Sequence, residues 1–158
     1  MKSSKSLFLS VALLCIALLG AALYLQIVEE MMPCPLCIIQ RYIFVAIAII
    51  CIIFAFLPPG SAKLGAGLGT LAALGGIATA GWHLWVQAHP GTSCGIDPLE
   101  TSLNTIPTAK LMPFLFYADG LCTTEYPPLL GLSIPQWALI WFAAFALVLG
   151  SVALKRNR

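Results

Sequence analysis

Four long stretches carry almost no polar interruption: Leu7 to Gln26, Ile38 to Leu57, Leu64 to Val86, and Pro135 to Leu154. Each is about the 20 residues that a helix needs to cross roughly 30 Å of hydrocarbon. The pattern predicts an all-α membrane protein: one domain, residues 1–158, built as a four-transmembrane-helix bundle. The connections are residues 27–37, a tight turn at Pro58-Pro59-Gly60-Ser61, and the long segment 87–134. Lys2 and Lys5 precede the first stretch, as in a signal peptide. That stretch exceeds the ~7–15 residues of a signal core and no clear small-x-small site follows, so it is read as a span.

Punctuation refines the picture. Pro35 suits a first helical position, where a missing N–H costs nothing. Span three is rich in glycine, and Gly65 and Gly69, four apart, permit close helix packing in lipid. A nucleotide-loop reading of the same glycines lacks a preceding strand. In the long connection, Ile106, Leu111, Met112, Phe114, Leu115 and Phe116 cluster beside Lys110 and Asp119. This predicts a short membrane-surface helix broken or bent at Pro113; a plain loop with apolar contacts is the alternative. Ser133 is expected to N-cap span four, with Pro135 in its first turn and Trp137 at the interface.

Composition supports the bilayer as solvent. The chain is 60% hydrophobic and 9% charged, against roughly 25% charged in soluble domains. The net charge of +2 matters through its placement. Lys2, Lys5, Lys63, Lys155, Arg156 and Arg158 flank one side, whereas Glu29, Glu30, Asp97, Glu100, Asp119 and Glu125 dominate the other. Both termini are therefore expected to be cytoplasmic, with segments 27–37 and 87–134 facing outward. No nucleic-acid partner is expected; membrane lipid is.

Cys34, Cys37, Cys94 and Cys122 all fall in the outward connections, where disulfides persist if that side is a periplasm. Cys15 and Cys51 lie inside spans and read as small hydrophobes. Cys34-Pro35-Leu36-Cys37 is a C-x-x-C pair without the following histidine of haem attachment or a second local pair for zinc. Redox exchange and structural bridging remain. Position favours redox: Cys37 sits near a helix start, whose dipole stabilises a thiolate. Arg41 follows four residues later on the same face, an expensive residue at a membrane boundary. Its charge would favour a Cys37 thiolate and negative charge developing on an electron acceptor. Gln40 is a candidate hydrogen-bond donor or a plain boundary residue. Cys94 and Cys122 enclose 27 residues; as a staple they would contribute about 3–4 kcal/mol in the chain-entropy model. Two pairs on one face suggest a relay, since thiolate attack passes a disulfide between pairs. With no flavin or haem signature, a lipid-soluble quinone suits a pocket beside Cys37 and Arg41, with His83 or His89 as a carbonyl partner. A non-catalytic tetraspan protein whose disulfides only hold its loops stays open.

The residues resemble the disulfide bond formation protein B (DsbB) family over nearly the whole chain. The likeness rests on Pro33-Cys34-Pro35-Leu36-Cys37 with Arg41, on Gly81-Trp82-His83-Leu84-Trp85-Val86-Gln87-Ala88-His89, on Cys94 and Cys122, and on Gly131-Leu132-Ser133-Ile134-Pro135-Gln136-Trp137. The resemblance implies a protein dithiol:quinone oxidoreductase of the bacterial inner membrane that reoxidises a DsbA-type periplasmic thiol oxidase. Cys94 then looks like the cysteine that forms the mixed disulfide with the partner, and Cys122 like its mate, which attacks Cys34. Cys37 resembles the thiolate that forms a charge-transfer adduct with quinone, Arg41 the arginine at the quinone, and His89 a nearby histidine. The quinone that the resemblance implies is ubiquinone or menaquinone.

Overall fold

A computed structural model describes residues 2–89, Gly91 and residues 98–154. Four long helices, α1 (Lys2–Val28), α2 (Pro35–Phe56), α3 (Ala62–Ala88) and α7 (Ile134–Leu154), enclose three short ones in sequence: α4 (Pro98–Thr105), α5 (Pro107–Leu111) and α6 (Pro113–Phe116). All four long helices are apolar and long enough to span a membrane. They cover the expected stretches, except that α2 stops one residue short of the expected end at Leu57, and most overrun them by a few residues. Pro35 opens α2 in the first-turn position its ring favours. Pro58 ends it: the residue before a proline avoids helical geometry, and Leu57 is extended at φ −78°, ψ 162°.

Helix α1 packs on α2, α2 on α3, and α3 on α7. The core joins Phe8 and Val11 of α1, Phe44 and Ile47 of α2, Ala66, Ala73 and Ala80 of α3, and Phe142, Phe145 and Leu149 of α7. Phe44 stacks on Phe142 with ring centroids 4.2 Å apart and meets Phe145 edge-on at 6.4 Å. On α3, Ala66, Gly69, Ala73, Gly76 and Ala80 recur every three or four residues and so share one buried face. A Cβ on Gly69 would lie 2.7 Å from Leu149 Cδ1, one on Gly76 would overlap the Phe142 ring, and one on Gly65 would overlap Phe54. Small residues thus let the helices approach closely. Cys15 and Cys51 are free thiols wholly buried in this core. The opposite helix faces expose Leu13, Ile53, Leu71 and Leu147. Such surface is stable against hydrocarbon and costly against water.

Lys5 Nζ lies 4.7 Å from the Phe56 ring centroid. The start of α1 and the α2–α3 turn therefore share an end, and the cysteine segment occupies the other. There the long connection folds back over α2. The segment expected to be broken or bent at Pro113 is two short helices, α5 and α6, parted at Met112, which is non-helical at φ −132°, ψ 66°; α4 precedes them, and Pro107 and Pro113 each restart the chain. Leu103, Ala109, Phe116 and Ala118 bury against Ile38, and Phe116 stacks on Tyr42 at 4.2 Å. Leu111, Met112 and Phe114 point outward. Asn104 closes the fold-back by donating to the Ala118 carbonyl and accepting from its N–H, each at 2.9 Å.

The expected cap at Ser133 is not made. Ser133 does precede α7, but its hydroxyl is buried without a partner, and its N–H instead donates to Gln136 Oε1 at 2.7 Å. Pro135 occupies one of the two positions whose N–H a capping hydroxyl uses.

Candidate functional site: a dithiol facing a membrane cavity

Cys34 is the N-cap of α2. Its backbone is extended (φ −81°, ψ 165°), and its Sγ accepts from the Cys37 N–H at 3.4 Å. The first helical turn then sets the two sulfurs 3.2 Å apart as free thiols, with Cys34 donating to Cys37. The Cys34 thiol is held well above the ordinary thiol range, first by that donated hydrogen bond and then by burial. Cys37 also receives the unpaired N–H groups and dipole of the helix start.

Among the described residues, the buried polar or charged side chains are Gln40, Arg41 and His83, at 5%, 6% and 3% exposure. All three surround the dithiol. His83 continues the small-residue face of α3, so its ring enters the bundle. Its Nε2 lies 3.6 Å from Cys34 Sγ, and its Nδ1 lies 3.4 Å from Gln40 Nε2. The Cys34, Cys37 and His83 donor atoms all fall within 4.8 Å of one another. Arg41 donates to Gln26 Oε1 at 2.7 Å, to the Leu115 carbonyl at 3.0 Å and to the Ala22 carbonyl at 3.4 Å. Three of its five N–H donors are therefore spent tying α1 and the end of α6 to α2. Its charge stays within electrostatic reach of both sulfurs.

Gln26 is a site residue that sequence reasoning missed. It closes span one and bears no motif, and its role appears only when α1 and α2 pair. His89 falls elsewhere. It ends α3, its Nδ1 is 2.9 Å from the Trp85 carbonyl, and its ring stacks on Trp85 at 4.6 Å; Trp85 in turn stacks on Trp82 at 4.9 Å. This aromatic column lies on the exposed side of α3.

Cys122 approaches the dithiol from the long connection. It is disulfide-bonded, 1% exposed, and packs in one buried cluster with Cys34, Leu36 and Val86. Two backbone bonds hold it there: the Asp119 and Gly120 N–H groups both donate to the Pro33 carbonyl, at 3.0 and 3.1 Å. Gly120 is required by this approach, since a Cβ would strike the Met32 carbonyl. Tyr126 Oη adds a bond to the Met32 carbonyl at 3.2 Å. Cys94 lies outside the described residues.

On its other side the dithiol borders a cavity of about 770 Å³ between the ends of the four long helices. Its walls are mostly apolar, including Leu18, Leu25, Phe44, Trp137 and Trp141. Cys34, Cys37, Gln40, Arg41, His83 and Ser133 belong to its polar lining, together with Gln87, Glu125 and Gln136 among others, and His89 does not line it. Ser133 Oγ is the buried side-chain oxygen there that has no hydrogen-bond partner.

Four spans with a dithiol at one end, a disulfide packed on it and an apolar cavity beside it define a multi-pass membrane protein of thiol–disulfide exchange. Residues 4–152 match the family described as Disulfide bond formation protein DsbB. A protein of Herminiimonas arsenicoxydans named Disulfide bond formation protein B is 61% identical over 157 residues, covering 99% of both chains. The protein of that name from Cupriavidus metallidurans is 47% identical over 99% of this chain and 96% of its own. Disulfide bond formation protein B 1 of Pseudomonas syringae pv. syringae is 45% identical over 100% of this chain and 94% of its own. The chain belongs to the DsbB family and is a multi-pass protein of the inner membrane.

Proposed function

We propose that this protein is a quinone-dependent thiol oxidase, which reoxidises a DsbA-type periplasmic partner through Cys94–Cys122 and then Cys34–Cys37. The observation that carries this reading is the position of Cys34: it shares one buried cluster with Cys122 and one cavity with Gln40 and Arg41. A relay needs both neighbours.

The sulfur chemistry balances as follows. A partner thiolate attacks Cys94, forming a mixed disulfide and releasing Cys122 as thiolate. Cys122 attacks Cys34 of the oxidised pair, and Cys37 leaves as thiolate. The second partner thiol resolves the mixed disulfide, leaving the partner oxidised and Cys94 reduced. Cys94 then attacks Cys122, which restores that disulfide and leaves Cys34 and Cys37 carrying the electron pair. A disulfide at Cys122 with free thiols at Cys34 and Cys37 corresponds to this last state.

A quinone would supply the sink, taking up two electrons and two protons. The cavity fits such a molecule: apolar walls for a ring and tail, with Arg41, Gln40, His83 and the unpartnered Ser133 hydroxyl as polar groups. Arg41 would favour negative charge there, and Cys34, which retains its proton, would be a proton source beside Cys37. Both termini would be cytoplasmic. An impermeant thiol reagent added to spheroplasts should then label a cysteine introduced at Leu130 and not one at Gly60; the reverse would invert the topology.

The purified protein with reduced partner and quinone should consume quinone, and Cys37→Ser should stop it. Unimpaired turnover in that variant would leave only the static-loop reading. A Cys122→Ala variant should trap the partner on Cys94, and recovery of a different thiol protein would redirect the assignment.

A further inference from the structure

The sequence offers Cys34 and Cys37 no second local pair of metal ligands. The fold supplies a third donor instead, from a helix that is remote in the chain. We infer that reduced Cys34 and Cys37, together with His83, form a binding site for zinc or a similar borderline-soft divalent cation, and that this site exists only while the pair is reduced.

The distances are close to what zinc requires. Ligand bonds of about 2.3 Å to sulfur and 2.0–2.1 Å to nitrogen, arranged tetrahedrally, put two sulfurs roughly 3.7 Å apart and sulfur and nitrogen roughly 3.5 Å apart. The sulfurs here are 3.2 Å apart, and Cys34 Sγ is 3.6 Å from His83 Nε2. A small rotation of one cysteine side chain closes the difference. The three donors belong to the first turn of α2 and the buried face of α3, so they are already gathered on rigid elements.

The surroundings suit the ion as well. Binding releases the two thiol protons to solvent, so two thiolates, a neutral imidazole and a divalent ion sum to zero charge. A neutral complex is tolerable beside buried Arg41, where a net cation would not be. A ligating histidine needs its second ring nitrogen held by an acceptor. Gln40 sits 3.4 Å from His83 Nδ1, and turning its amide over presents the oxygen there. The fourth position opens on the cavity, which makes the site exchangeable rather than a closed structural one.

Oxidation of Cys34 and Cys37 to a disulfide destroys two of the three ligands. Metal therefore binds one redox state alone and holds the pair reduced. By linkage, each tenfold excess of free metal over its dissociation constant shifts the pair's two-electron potential by about 30 mV toward reduction. On the proposed function, the same binding withdraws both sulfurs from exchange with Cys122, so zinc acts as a reversible inhibitor released by chelators.

The test is a zinc titration of the full-length protein in detergent, competing against a chromogenic chelator, with no partner or quinone present. The reduced protein should take up one zinc per chain at this site and the oxidised protein none. Cys34→Ser and His83→Ala should each weaken binding at least tenfold. His83→Cys, which keeps a metal donor, should retain it, and cadmium should give a thiolate-to-metal charge-transfer band in both binding forms. Equal zinc uptake by the oxidised and reduced proteins, or unweakened binding in His83→Ala, would overturn the site. Zinc binding without quinone turnover would instead overturn the proposed function and leave the site standing.

Discussion

Replacing Gly120 by alanine separates docking of the Cys122 segment from everything else the bundle does. The added Cβ would strike the Met32 carbonyl and lie 3.0 Å from Met32 C and 3.2 Å from Pro33 C. All three are backbone atoms in the short connection between α1 and α2, and none can swing aside like a side chain. The segment must retreat, and the Asp119 and Gly120 hydrogen bonds to the Pro33 carbonyl are lost. Each is worth a net ~0.5–1.5 kcal/mol, so the pair contributes about 2 kcal/mol to docking. That is a roughly 30-fold fall in the population with Cys122 against Cys34. Partner-driven quinone reduction should drop by a similar factor. Quinone reduction fed by a small dithiol, measured in a background lacking Cys94 and Cys122, should be unchanged by the same substitution. An unaltered partner-driven rate, in protein whose thermal unfolding matches the parent, would refute the idea that this clamp presents Cys122 to Cys34.

Gln26→Leu keeps the bulk of the side chain but removes the acceptor of Arg41's shortest hydrogen bond. Bonds to charged groups are worth ~1.5–3 kcal/mol, so KM for quinone should rise about tenfold or more while exchange between the cysteine pairs is unaffected; an unchanged KM removes Gln26 from the site. Gly76→Val forces overlap with Phe142 and should lower bundle stability in detergent by ~1–3 kcal/mol. Gly75→Val, on open space, should unfold like the parent, and equal stability of the two variants would contradict the α3–α7 packing. In the reduced protein the Cys34 thiol is held up chiefly by its bond to Cys37. Its thiolate is therefore scarce until pH rises past the usual thiol range, and Cys37→Ala should move the midpoint of Cys34 alkylation to lower pH; no downward movement would contradict that cause.

The spans were legible because hydrocarbon selects for long apolar runs irrespective of tertiary detail. Pro33-Cys34-Pro35-Leu36-Cys37 and Arg41 were legible because proline, the helix start and a four-residue step fix local geometry. The two histidines show where local reading stops. His83 and His89 are six residues apart, which puts them roughly 120° apart around a helix. Only the rotation of α3 decides which one enters the bundle. A usable signal was present: Ala66, Gly69, Ala73, Gly76 and Ala80 step directly to His83 and pass His89 by. Gln26 carried no such signal, because its pairing with Arg41 depends on how α1 docks. Ser133 was misread because the proline two positions on removes a donor that its hydroxyl would have used.

The sulfur of Cys34 is also the end-piece of α2, accepting the Cys37 amide hydrogen that the helix leaves unpaired. Bonding that sulfur to the Cys37 sulfur changes its distance and angle to the amide. The oxidation state of the pair is thereby written into the backbone: the Cys37 amide should exchange its hydrogen with solvent slowly in the reduced protein and faster in the oxidised one. Electron flow through this protein would then be readable as the periodic loosening of a single helical turn.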